Sequence, residues 1–109
     1  MNRRELADQI VTLCLDKNNF LVLLHSFAYF DDEKYKELLS LIEKYTEKVK
    51  NDDQIDREVV GCLIHLMIAL DNALISFKEM KKPEYEKVVA AHSRIHSLML
   101  DELLLIHPN

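Results

Sequence analysis

Three side chains in the C-terminal half have the types and spacing for chemistry. His92 and His96 stand one helical turn apart in AAHSRIHSLMLDELLLIH, residues 90–107. Imidazoles at i and i+4 can share one metal ion or act as a proton relay on a helix face. Asp71 is the third, the one charged residue inside the apolar stretch VVGCLIHLMIALDNALISF, residues 59–77. The connection between these stretches, EMKKP at 79–83, is short, so the two helices should form an antiparallel hairpin. A turn centred between Lys81 and Lys82 sets Asp71 level with His92.

Three readings of this cluster compete. The first is a structural Asp71–His92 hydrogen bond inside the bundle, where either group alone would be expensive to bury. His96 would then bond a backbone group or a neighbouring side chain. The second is a metal site on His92, His96 and Asp71. It lacks a fourth ligand, since His65 lies about a third of a helical turn from Asp71, and the Glu-x-x-His pairs of di-iron bundles are absent. The third is a catalytic acid–base pair, but Ser93 and Ser97 are ordinary helix residues and supply no obvious nucleophile. The structural reading is favoured, with no catalytic residue, no cofactor and no enzymatic activity assigned.

The elements that must position these groups read as helices. Glycine occurs once (Gly61) and proline twice (Pro83, Pro108), too few turn residues for a β-rich chain and none for a phosphate-binding glycine loop. The periodicity predicts helices over about Arg3–Asp16, 20–30, Asp32–Lys50, Asp53–Met80 and Pro83–Ile106. The second, FLVLLHSFAYF, has no polar face and should be buried on most sides. Asp31 is the expected N-cap of the third, with Phe30 and Tyr35 as a hydrophobic staple.

In the fourth helix Val59, Leu63, Leu66, Leu70, Ala73 and Phe77 alternate spacings of four and three, the pattern of a packing seam. Val60, Met67 and Leu74 flank the seam, and Ile64, Ile68 and Ile75 extend it further round. Gly61, His65, Asn72, Ser76 and Glu79 remain as a polar strip. Such a helix is central in the bundle, or it also serves an oligomer contact. In the fifth helix Tyr85, Val88, Met99, Leu103 and Ile106 form the expected apolar face, with His92 and His96 near its centre. The fold expected is a single all-α domain, residues 1–109, of about five helices with a long central fourth helix.

Composition narrows the partner classes. The net charge of −5 argues against phosphate-backbone binding, which needs a basic face. Residues 59–77 are long enough to span a bilayer, but His65, Asp71 and Asn72 favour a buried helix of a soluble protein. The opening MNRRELADQI lacks the apolar run of a signal peptide, and Cys14 and Cys62 form no metal or redox motif, so a cytoplasmic, reducing location is the expectation.

The charge is uneven. Residues 31–58 carry ten acids, Asp31, Asp32, Glu33, Glu37, Glu43, Glu47, Asp52, Asp53, Asp56 and Glu58, against six bases. Several occupy helix starts, where acids cap free amides and favour the helix dipole. The same residues would form an electrostatic surface for a basic partner, and the two roles can coexist.

With its acidic helix corners FDDEKYKELL and KNDDQIDREV, the chain resembles the immunity proteins of bacterial contact-dependent growth inhibition systems. That resemblance implies a non-enzymatic toxin inhibitor that binds and neutralises a basic toxin domain, such as a nuclease; the ten acids named above, read from the charge distribution, would face its cationic residues. It is one of overall character, and carries over no residue roles. Two alternatives stand beside it: a self-associating scaffold or regulatory subunit, with a homodimer through the fourth helix, and a metal-binding helical bundle.

Overall fold

The computed structural model describes residues 1–104, and every regular element among them is helical. The order is α1 (Arg3–Leu15), α2 (Phe20–Phe27), α3 (Asp32–Val49), α4 (Arg57–Glu79) and α5 (Tyr85–Ser97), which runs directly into a π-helical turn, Leu98–Leu103. The helix end expected at Ile106, and His107, lie outside the described residues.

Local polar chemistry sets most boundaries. Asn2 opens α1 with a capping box, accepting from the Glu5 amide while the Glu5 carboxylate accepts from the Asn2 amide. Asn19 joins α1 to α2: its side-chain oxygen accepts from the Val22 amide at 2.7 Å and its side-chain nitrogen donates to the Cys14 carbonyl at 2.6 Å. Asp31 caps α3 by accepting from the Lys34 amide at 3.1 Å, and the rings of Phe30 and Tyr35 lie 5.3 Å apart. α4 ends in a Schellman arrangement. Lys81 takes φ 54°, and the Lys82 amide donates to the Phe77 carbonyl at 2.9 Å. Pro83 therefore belongs to this turn, and α5 begins at Tyr85.

All six seam residues of α4, Val59, Leu63, Leu66, Leu70, Ala73 and Phe77, are buried, and α4 packs on α1, α2 and α5. The molecule measures 42 × 35 × 18 Å. Its short dimension is less than two helix diameters of about 10–12 Å each, so helices keep an outer face. One expectation is corrected: Ile64, Ile68 and Ile75 do not extend the seam but lie opposite it, 48%, 52% and 61% exposed. Apolar residues on both faces also explain why α4 is long and apolar enough to cross a membrane by composition, with mean hydropathy 1.9 over its best window.

Two further expectations are corrected. α2 is not buried on most sides, because only Phe20 and Leu24 are buried and Phe27 is largely exposed. The inner face of α5 is Val88, Ala91, Ile95 and Leu98, at spacings of three, four and three, so the histidines are turned off the core. The π-helical turn then changes the phase: the Leu104 amide donates to the Met99 carbonyl, five residues back, at 2.8 Å. Leu98 and Leu103, also five apart, thereby both reach the core. Arg94 holds this end in place by donating to Glu43 of α3 at 2.7 Å and to Glu102 at 3.1 Å.

Candidate functional site

The structure brings Asp71 and His92 together, with Oδ1 of Asp71 2.6 Å from Nε2 of His92. It does so at the surface, not inside the bundle: the Asp71 side chain is 60% exposed and that of His92 26%. His96, also exposed, stacks on His92 with ring centroids 5.8 Å apart and planes 11° from parallel. His65 stands exposed on the outer side of α4. Among the described residues no group of three His, Cys, Asp or Glu side chains is gathered as a metal site. Ser97 donates to Asp101 at 3.3 Å, away from the pair. Asp71 and His92 thus link α4 to α5, and when the imidazole donates from Nε2 the carboxylate fixes its tautomer.

The acids of residues 31–58 are mostly engaged within the chain. Asp31 is a helix cap, Asp32 pairs with Lys87 at 2.8 Å, Glu43 with Arg94 at 2.7 Å and Glu47 with Lys50 at 2.7 Å. Glu33, Glu37 and Asp53 are exposed and make no ion pair among the described residues.

Asp52, Asp56 and Glu58 converge on the start of α1. Arg3 donates to Asp52 at 2.8 Å and to Asp56 at 3.0 Å. Arg4 reaches Asp8 at 2.8 Å, Glu58 at 2.6 Å and Asp56 at 3.4 Å. Beneath them the buried Tyr45 donates its hydroxyl to the Asp56 carboxylate and accepts from the Asp56 amide at 2.8 Å. The Tyr45 bond, followed by the Arg3 bond, holds the Asp56 carboxyl below its ordinary value. Burial pushes the Tyr45 phenol up, and the carboxylate beside it adds to that. This clamp also explains why α4 starts at Arg57 and not at Asp53: Asp56 is held extended, at φ −74° and ψ 125°.

Sequence reasoning missed Arg3, Arg4 and Tyr45 as partners of these acids, because nothing local in RREL or EKYTEK announces a contact some fifty or eleven residues away. It also kept the two cysteines apart. In the structure both thiols are free and face one another between α1 and α4. Burial, with Cys62 alongside, pushes the Cys14 thiol up to about 12.

Cavities are small or open. One of about 30 Å³ between α1, α2 and α3, near Asn19, Phe20 and Leu38, has room for about one water. A hollow of about 450 Å³ beside Met1, Leu6, Lys44, Glu47 and Lys48 lies open on the surface.

The fold and these side chains define a small all-α protein with one charged corner and one apolar outer face. Comparison with protein families, curated proteins and solved structures gives no match.

Proposed function

We propose that this chain is a non-enzymatic, cytoplasmic protein-binding protein that recognises a basic partner through its acidic corner, and most concretely an immunity protein that covers the active site of a basic toxin domain. The observation that carries this reading is the excess of carboxylates at the corner. Asp8, Asp52, Asp56 and Glu58 share only Arg3 and Arg4, and Asp53 beside them has no ion pair among the described residues. Exposed ion pairs contribute little individually, so a cationic partner can exchange for Arg4 at Asp8 and Glu58 at small cost. Glu33 and Glu37 add free negative charge along α3. With this goes a finer reading of the fold, five helices with α4 and α5 as an antiparallel hairpin, supported by the Schellman turn at Lys81 and the Asp71–His92 bond.

The test is co-expression with the product of the adjacent gene, followed by binding measurements over a salt series. Reversing Asp53 to Lys, alone and with Asp52→Lys, should weaken the complex about tenfold or more and flatten its salt dependence. Circular dichroism should show the helices intact. Affinity unchanged by both reversals removes the corner as the binding surface.

A further inference from the structure

Gly61 is the only glycine in the chain, and nothing in the protomer asks for it. It lies inside α4, its φ is not positive, and among the described residues no atom beyond its chain neighbours and the local helix backbone stands within 4 Å of the place a Cβ would occupy. A glycine in a helix interior costs about 1 kcal/mol relative to alanine. Its position on the helix supplies a reason. Gly61 lies on the outer side of α4, seven residues before the exposed Ile68, and the exposed Ile75 lies seven residues after it. Residues seven apart fall within about 20° of one another on a helix. The outer line is therefore Gly61, Ile68, Ile75, with Ile64 beside it, and it is symmetric in spacing about Ile68.

We infer that this face is the interface of a two-fold homodimer in which two copies of α4 pack antiparallel about Ile68. In that register the Ile68 side chains meet each other. Ile75 of each copy lies over Gly61 of the other, where the missing side chain leaves a recess. Arg57, eleven residues before Ile68, comes level with Glu79, eleven after it.

Charge selects both the occupant and the direction. Asp52, Asp53, Asp56, Arg57 and Glu58 leave a net −3 at the start of α4, while Lys78, Glu79, Lys81 and Lys82 leave +2 at its end. Counting Arg3, Arg4 and Asp8, which are bound at that corner, the start still carries −2. Antiparallel copies set each negative end against a positive one, whereas parallel copies would set like against like. A second copy thus carries both the apolar line and the charges that complement it. Covering three isoleucines exposed on a soluble body is the driving force. This interface shares its charged end with the proposed partner-binding corner, but the apolar line of Gly61, Ile68 and Ile75 lies outside that corner, so variants at Gly61 and Ile68 test the dimer alone.

The full chain should sediment as a dimer at micromolar concentration and dissociate on dilution. Ile68→Glu should give a monomer with unchanged helix content, since that side chain stands clear of the core. Gly61→Leu is the sharper variant. It fills open space in the protomer and raises helix propensity, so the melting temperature of the monomer should not fall, yet dimer dissociation should become easier by about tenfold or more. Arg57→Glu should weaken the dimer and Glu79→Arg, added to it, should restore it. A wild-type chain that stays monomeric up to millimolar concentration overturns the inference. So does a dimer indifferent to Gly61→Leu, or one that the charge swap does not rescue. Binding of a monomer to phosphatidylcholine vesicles, lost in Ile68→Glu, would assign the face to lipid and also overturn it.

Discussion

The two ends of the polar chemistry in this protein are built on opposite plans. At the corner where α1, α3 and α4 meet, Tyr45, Asp56, Arg3 and Arg4 form a connected network with a buried hydroxyl at its base, and the Asp56 side chain is only 17% exposed. Where α4 meets α5, one carboxylate and one imidazole bond at the rim of an uncovered row of isoleucines. Both join separate helices, the first across 53 residues and the second across 21. The difference is what happens when a member is removed. In the network, removing Asp56 leaves a buried phenol and a guanidinium without their shared acceptor. At the rim, water replaces the lost partner. A polar contact is therefore structural in proportion to how completely its neighbours depend on it, not to how short it is.

The largest effect should come from breaking the network at its centre. Asp56→Ala removes the acceptor of Tyr45 and the main acceptor of Arg3, and should lower unfolding free energy by about 2–4 kcal/mol in urea or guanidinium titration. Tyr45→Phe, which keeps the packing of the ring, should cost less, about 1–3 kcal/mol. If Asp56→Ala costs no more than an ordinary surface substitution, the corner does not clamp α1, α3 and α4 together.

Next in size is the response to acid. The folded Asp56 carboxyl titrates below its ordinary value because Tyr45 and then Arg3 hydrogen-bond its charged form, and Glu58 is shifted the same way by its own backbone amide and then by Arg4. A lowered folded value means that the unfolded chain takes up the proton first. The stabilisation is thus complete above the ordinary carboxylate value of about 4 and is lost as the pH falls through the folded value. Stability should decline between about pH 5 and pH 2, and Asp56→Ala should show a shallower decline over that window. Equal slopes for the two proteins would detach the clamp from the acid response.

How much of this could be read from the sequence follows the same division. The α4 seam was legible because alternating spacings of three and four define a helix face without help from elsewhere. The level of Asp71 with His92 was legible because a short turn leaves little freedom in register. Depth was not. Apolar residues cover so much of α4 that spacing alone could not say which arc the other helices would use, and the outer isoleucines were assigned to an extension of the core. The phase of α5 failed for a related reason: Ala91 is too small to mark a buried face strongly, so Tyr85 and Met99 pulled the expected face toward the histidines. The acidic corner was visible as composition only, since Arg3, Arg4 and Tyr45 reach it through tertiary packing that no local pattern encodes.

The smallest effect should be at the rim, and it separates the two plans most cleanly. Asp71→Ala and His92→Ala each break the 2.6 Å contact, but Asp71 remains mostly in water and His92 keeps its stacking partner His96. Each variant should cost no more than about 1 kcal/mol. The double variant should cost about as much as the more damaging single one, because either single change already removes the shared bond. Set beside Asp56→Ala in the same denaturant series, this gives the comparison a direct measure. Should the rim pair cost as much as the corner, its exposure in the monomer would not describe its surroundings in solution, and covering of the α4 face by another molecule would supply the missing burial.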